Sequence, residues 1–559
     1  MAGKSTKSAP ASEPVVRTSQ PLRFLSSKPL LWATLLVAAA SLRIVSTYSH
    51  FCFTADEPGH FGCGLEYVAS HVYRLETQHP PLARAAMALL PYLDGSRPAG
   101  NSKPDKEGMA VMYRRGNPQR TLTLMRLGIL PFFILAGFVV FWWARHTFGD
   151  ATAVIAVALF SMEPSILAHA GLATTDMVFT TFLGAAFLSM ILWAEKPDIR
   201  RSLLFGAASG LMVLSKFTAV LYFPAAAGVA LLTFAGVHRP GWRQLAVLAR
   251  ARASGLALAV GTGALVVWAG YFFSFGRIPG TPIYAPAPEL FDGIASVLRH
   301  NSTGHTAFLF GQVSRTGWWY YFPAVLVLKT PLAFLILLAA GAWFCARRRN
   351  VDSLLPLAFS LGILLPAMAG QINIGVRHVL PLYLAFSVIA AVAVVRLVES
   401  TGAWKTAAAT TAMLWLAATG ILHHPYYLAY LNETVQVEPE KVITDSDLDW
   451  GQDYVEVASR LRQLGVNEVT FGTDPWLNHY FQMWPGFPAI KPVRAMYPSE
   501  GWTVISPTAD KTSQYGLNYR YPKLKPWFDT IEPTERIGTI LLYYVPPGAI
   551  RMKAPEQHP

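Results

Sequence analysis

Two adjacent carboxylates, Asp56 and Glu57, stand in the stretch Phe53-Thr-Ala-Asp-Glu-Pro-Gly-His-Phe-Gly62, and His60 follows inside it. Glu76 and His79 come next, in Glu76-Thr-Gln-His-Pro-Pro-Leu82. A positioned carboxylate can accept the proton of a hydroxyl as that hydroxyl attacks, which is general-base work. If the departing group is already a weak base, it needs charge stabilisation more than a proton, and a cationic clamp supplies that. Arg126, Lys216, Lys329 and Arg377 are the candidate cations, with Asp176 and His378 beside them in the chain's later segments. Two neighbouring carboxylates do not readily point at one atom. One of the pair acts while the other orients it, binds a cation or caps the helix that Pro58 can open.

These residues need elements to carry them, and the composition says which. The 559-residue chain is 53% hydrophobic and only 14% charged, too apolar for a chain with a fully hydrated surface. A polytopic membrane protein is expected. The net charge of +13 does not form one basic block, as a nucleic-acid-binding face would; it recurs in short clusters between apolar runs. Apolar runs of about 20 residues, the length that crosses a bilayer, lie at 29–48, 123–144, 150–169, 173–194, 202–217, 219–236, 253–274, 318–345, 352–370, 378–396 and 405–424, eleven in all. The basic clusters at Arg145, Lys196 to Arg201, Arg239 to Arg252, Arg347 to Arg349, and Arg396 with Lys405 fall in alternate loops. The positive-inside rule makes those loops cytoplasmic, together with the N-terminus.

By alternation, loop 49–122, loop 275–317, the turn 371–378 and everything after about residue 423 face outward. Asp56 and Glu57 lie on that side. Ionisable residues at the outer ends of spans (Glu163, Asp176, Lys216, Lys329, Arg377) would gather there too, and such groups are costly unless they line a wet cavity. Within loop 49–122, Pro58 and then Pro80 and Pro81 open two short amphipathic helices, to about Tyr73 and Leu90, lying along the membrane surface. Residues 94–120 read as a flexible connection or lid.

Three regions follow: a disordered cytoplasmic tail at 1–28, a transmembrane catalytic module at 29–424, and an outer α/β domain at 425–559. The last shows helical spacing at 449–464 and strand patterns at 468–472, 502–506 and 539–545. Its Thr444-Asp-Ser-Asp-Leu-Asp-Trp-Gly-Gln-Asp453 run reads as helix capping plus a solvated turn; calcium is the alternative, but the run lacks a glycine and a terminal glutamate at the set positions of an EF-hand loop.

A substrate with a lipid tail, a phosphate and a sugar suits an outward cavity with acids in one loop and bases at other helix ends. Glycosyl transfer from a polyprenyl phosphate fits it. Asp56-Glu57, His60-Phe61-Gly62 and His79-Pro80-Pro81-Leu82 resemble the first luminal loop of the dolichyl-phosphate-mannose protein O-mannosyltransferases, within the GT-C membrane glycosyltransferases. Bacterial lipid-carrier-dependent members are similar at Glu163-Pro-Ser-Ile-Leu-Ala-His-Ala-Gly-Leu-Ala-Thr-Thr-Asp176, Leu214-Ser-Lys216, Gly317-Trp-Trp-Tyr-Tyr-Phe-Pro323 with Lys329-Thr-Pro331, Asn373-Ile-Gly-Val-Arg-His-Val-Leu-Pro381 and Asp447-Leu-Asp-Trp-Gly-Gln-Asp453. The resemblance spans about 29–465. It implies an all-α polytopic GT-C fold and an inverting transfer, with Asp56 as general base, Glu57 in support and His79 near donor or acceptor. His60 is placed with it, and Arg377 and Lys329 lead the candidates for the phosphate. The partners implied are a polyprenyl-phosphate-sugar donor, an acceptor protein, lipid or glycan, and the bilayer of a bacterial inner membrane, with no nucleic acid. A transporter of lipid-linked sugars and a membrane receptor with an outer binding domain are the rival classes; no internal repeat favours the transporter.

Other features are open at this level. A divalent metal on Glu76 and His79 is one reading, and zinc on Cys52, His60 and Cys63 another, though no Cys-x-x-Cys is present. Cys52 and Cys63 would be free to pair in an oxidising compartment. Asn301-Ser-Thr303 and Asn432-Glu-Thr434 match the glycosylation acceptor pattern. The aromatic run 318–322 reads as an interfacial belt.

Overall fold

The computed structural model describes residues 20–472, 484–491, 498–512 and 527–549, and most of them are helical. Among the described residues, seven helical spans are long and apolar enough to cross a membrane: Pro29–Ser46, Pro118–Phe148, Asp176–Glu195, Ala219–His238, Trp242–Gly270, Val351–Ala369 and Leu382–Glu399. Two bent pairs, Asp150–Met162 with Pro164–Ala170 and Tyr321–Lys329 with Leu332–Arg348, raise the number to nine if each is one broken span. The other two expected spans are also helices, Ile199–Val213 and Ala403–Leu422, but they do not meet the same criterion.

Asp150–Met162 and Leu382–Glu399 pack on one another at the centre. Pro29–Ser46 and Leu130–Phe148 close around the first, Leu332–Arg348 and Val351–Ala369 around the second. Trp242–Gly270 is peripheral, with only 6% of its most apolar window buried. It meets the bundle through Ile199–Val213, where Gly206 lets the backbones touch: a Cβ there would stand 2.3 Å from the Ala259 carbonyl oxygen. Close approach through small residues is how apolar helices associate where lipid offers no hydrophobic drive.

Loop 49–122 differs from expectation in its second half. Glu57–Ser70 and Pro81–Leu93 form where Pro58 and Pro81 start them, but 94–120 is not a bare connection: it carries Pro104–Arg114 and the start of Pro118–Leu127. Pro104–Arg114 packs against Glu57–Ser70 through Gly108, where a Cβ would lie 1.8 Å from the Pro58 carbonyl oxygen. The Glu107 carboxylate accepts the Ala99, Gly100 and Asn101 amides and so ties down the preceding polar stretch. The tail reading also needs correction at its end. Gln20–Ser27 is a helix, because Leu22 buries itself against Asp150–Met162 and Phe24 packs on Trp32 at 4.9 Å.

Among the described residues the C-terminal sheet has five strands, in the order Ala489–Lys491, Glu468–Gly472, Gly501–Ile505, Ile540–Val545, Glu535–Ile537. Its first two junctions are parallel and its last two antiparallel. The helix begins at Tyr454, not 449, because the acids before it serve other bonds. Cys52, Cys63 and Cys345 are all free and buried. Asn432 is buried, with its amide donating to the Thr330 carbonyl, so that acceptor match is not presented to a modifying enzyme. The aromatic run divides: Trp319 is exposed, while Tyr321 and Phe322 pack inward.

Candidate functional site

The acidic pair is split by the start of its helix. Glu57 is fully buried and its carboxylate receives Arg126 Nε and Nη2, both at 2.9 Å, the Thr54 amide at 2.8 Å and the Ala173 amide at 2.8 Å. Arg126 also donates to the Phe51 and Cys52 carbonyls, so the pair joins the acidic loop to two helix ends. A carboxylate this fully bonded is structural in its contacts. Asp56 is the helix N-cap residue, yet its side chain makes no capping bond. It turns to Arg377, whose Nη1 donates to Oδ2 at 2.7 Å, and 38% of the Asp56 side chain stays exposed. Burial would raise the Asp56 carboxyl, but the Arg377 charge and hydrogen bond outweigh it and hold the group below the ordinary carboxylate value.

Arg377 sits on the short turn Val376–Val379. Its Nε donates to the Ile374 carbonyl at 3.2 Å, and its guanidinium carbon lies 4.1 Å from the centre of the Trp450 ring. Although burial opposes its charge, Asp56 and Asp176 nearby raise its pKa, so it is a permanent cation. Lys216 Nζ donates to Asp176 Oδ1 at 2.6 Å. His378 lies between Phe322, stacked at 5.4 Å, and Tyr222, edge-on at 5.8 Å. Burial and then the Lys216 charge push its imidazole down to about 3, so it is neutral.

Around these groups lie buried polar atoms with no partner among the described residues: Asp176 Oδ2, His378 Nδ1, His169 Nδ1 and the Tyr222 hydroxyl. An unpaired buried polar atom costs about 1–3 kcal/mol, which makes such a set unusual unless a polar ligand completes it. His169 lies inside the family-like stretch Glu163 to Asp176 but was not singled out there, and Tyr222 lies in no motif. Only the packing brings them to Asp176 and His378.

His60 and His79 meet edge-to-face at 4.9 Å, on a second centre built by Arg84. Arg84 donates from Nε to His60 Nδ1 at 3.1 Å and from Nη1 to the Tyr73 hydroxyl, and it pairs through Nη2 with Glu76. Burial and the Arg84 charge lower His60 to about 3 and His79 well below the usual imidazole value. Both are neutral rings that can accept or donate a hydrogen bond but offer a phosphate no charge. The metal reading on Glu76 and His79 does not fit: the Arg84 guanidinium already neutralises Glu76 and would repel a second cation. Among the described residues no group of three or more His, Cys, Asp or Glu comes together as a ligand set. Cys52 donates to the Gly451 carbonyl, away from the zinc set considered for it.

Lys329 is 1% exposed and donates to the Leu428 and Asp447 carbonyls, both at 2.7 Å. Those bonds use it as a brace between segments. Three of the four acids of the 444–453 run are not solvated. Asp447, Asp449 and Asp453 are buried, each accepting backbone or hydroxyl donors. Burial raises Asp447 to about 6 and Asp453 to about 7.

Residues 120–262 match the family described as dolichyl-phosphate-mannose-protein mannosyltransferase. Comparison with curated proteins gives no sequence match. Among solved structures the chain is similar to ArnT from Cupriavidus metallidurans bound to undecaprenyl phosphate, with 14% identity, 91% of this chain and 97% of that chain covered, and a TM-score of 0.52. The apo state of the same protein gives 14% identity, the same coverage and a TM-score of 0.50. The archaeal oligosaccharyltransferase AglB from Archaeoglobus fulgidus gives 13% identity over 84% of this chain and 62% of that one, with a TM-score of 0.45. The chain is therefore a multi-pass, mostly helical protein with the GT-C fold of ArnT, and it resembles the protein mannosyltransferase family.

Proposed function

We propose that the protein is an inverting glycosyltransferase that moves a sugar from a polyprenyl-monophosphate carrier to an acceptor hydroxyl, at the periplasmic face of a bacterial inner membrane. The observation that carries this reading is the pairing of the partly exposed Asp56 carboxylate with Arg377, near buried polar atoms that lack partners among the described residues. The family resemblance and the undecaprenyl phosphate bound by the similar ArnT support the carrier class. The basic loops support the orientation, with residues 425–559 as the periplasmic unit.

In this reaction the acceptor oxygen bonds to the sugar's anomeric carbon as the carbon–oxygen bond to phosphate breaks. The electron pair leaves with the polyprenyl phosphate, and the hydroxyl proton passes to Asp56. Arg377 has its Nη2 free of bonds among the described residues, and Lys216 is 10% exposed; both can meet the phosphate charge as it develops. Asp176, His378, His60 and His79 are hydrogen-bonding groups for sugar or acceptor. Glu57 with Arg126, and Lys329, hold the frame.

Mass spectrometry of lipid-linked sugars and envelope glycoconjugates, in cells carrying wild-type or Asp56→Asn protein, tests the proposal. Donor accumulation with loss of an acceptor's sugar is expected in the variant. An unchanged glycoconjugate profile with normal amounts of the variant would overturn it.

A further inference from the structure

The 444–453 run takes no part in the transfer just described, yet it touches Arg377 and the backbone that leads into Asp56. On the Arg377 side, the Asp447 carboxylate accepts the Val376 amide at 2.9 and 3.2 Å from its two oxygens, and the Ser446 hydroxyl donates to the Ile374 carbonyl at 2.7 Å. Gly375, between them, has φ +87°, and a Cβ there would stand 2.7 Å from Asp447 Oδ2. The turn that bears Arg377 is thus moulded on Asp447. On the Asp56 side, the Ala55 amide donates to the Trp450 carbonyl and the Cys52 amide to that of Gln452, both at 3.0 Å. Between the two, the Trp450 ring underlies the guanidinium at 4.1 Å.

The run is itself anchored to the sheet. Asp449 accepts the Ser506 hydroxyl, and Asp453 accepts the Thr539 amide at 2.8 Å. Lys329, at the end of Tyr321–Lys329, donates to the Asp447 carbonyl. Both Asp447 oxygens are taken by the Val376 amide and the Trp450 ring by the guanidinium, so these side chains act through the turn and Arg377.

We propose that residues 446–452 are a positioning clamp for the Asp56–Arg377 pair: Asp447 sets the turn that carries the guanidinium, and Trp450 sets both the guanidinium face and the segment that leads into Asp56. The clamp makes the geometry of the membrane site depend on the C-terminal sheet. Its catalytic consequence rests on the function proposed above; its geometric content does not. A misplacement of about 1 Å at such a pair costs on the order of 10²-fold in rate.

The test uses the full-length protein in lipid nanodiscs and two readouts. The first is the rate at which phenylglyoxal modifies Arg377, followed by peptide mass spectrometry; the second is kcat with a polyprenyl-phosphate-sugar donor. Asp447→Ala is expected to speed Arg377 modification about fivefold, the scale of a lost hydrogen bond, and to lower kcat about 10²-fold with little change in KM. Asp447→Asn keeps an acceptor for the Val376 amide and is expected to return both readouts to within about threefold of wild type. A folded Asp447→Ala with unchanged Arg377 reactivity overturns the clamp, as does an Asp447→Asn as reactive as the alanine variant. If Asp447→Ala does not fold, Ser446→Ala decides, since it removes only the hydroxyl bond to Ile374: faster Arg377 modification supports the clamp and an unchanged rate overturns it. Should Asp56→Asn retain full activity, the proposed base fails, and the modification rates still judge the clamp.

Discussion

Arg126 grips the Glu57 carboxylate through Nε and Nη2 at 2.9 Å each, with both side chains at 1% exposure or less. One residue earlier in the chain, Asp56 meets a different arginine and keeps 38% of its side chain open. Breaking a buried ion pair by removing one partner leaves an uncompensated charge and costs about 3–5 kcal/mol. Glu57→Ala should therefore lower the thermal unfolding midpoint strongly and reduce the yield of folded protein. Asp56→Ala should lower it much less, because that side chain is 38% open to solvent. Differential scanning fluorimetry in detergent separates the two, and equal losses would contradict the assignment of separate roles.

Asp56→Asn should retain the fold and the binding of donor while losing activity by about 10²- to 10⁴-fold, the range for a positioned base. Binding measured with inactive enzyme and turnover measured separately give the comparison.

The pH dependence of turnover follows from Arg377. Because the Asp56 carboxyl is held below its ordinary value, which is about 3.9, the base form persists to more acidic pH than a free aspartate would allow. The acid limb of kcat/KM that belongs to Asp56 should lie below that value, and Arg377→Gln should move it upward while also slowing turnover. The ion pair's contribution to stability has the same sign: it is present above the unfolded pKa and is lost as pH falls through the folded one.

The buried acids of the C-terminal run act oppositely. Asp447 and Asp453 are raised to about 6 and about 7, so the folded state binds more protons than the unfolded one between about 4 and those values. Stability should fall as pH rises through that window, by at most about 1.4 kcal/mol per pH unit for each group. Asp453→Asn should flatten the slope of unfolding midpoint against pH between 5 and 8, settings chosen to bracket the shifted value of about 7. A slope unchanged by the substitution would contradict this source.

All three cysteines should be recovered as thiols when the protein is denatured in alkylating reagent, and none should react quickly in the folded state, because all are buried. Mass spectrometry counts the adducts; a Cys52–Cys63 disulfide would remove two of them.

The sequence by itself determined what local rules can carry: the apolar runs, the alternation of basic loops, the proline-started helices at Glu57–Ser70 and Pro81–Leu93, and three of the sheet's strands. Those features follow from side-chain hydropathy and backbone sterics over a few neighbouring residues, so they are legible in order along the chain. It also marked Asp56, Glu57 and Arg377 as charges needing a reason. Which carboxylate stays open was decided only by tertiary structure, because Glu57 is claimed by Arg126 69 residues away and Asp56 by Arg377 321 residues away. The same holds for Lys329, which charge alone offers to a phosphate and packing assigns to two carbonyls, and for Asp447, which looks like a solvated turn acid until Val376 is folded against it. Hydrogen bonding and desolvation depend on what surrounds a group in space, and over separations this long spacing in the chain carries no record of it.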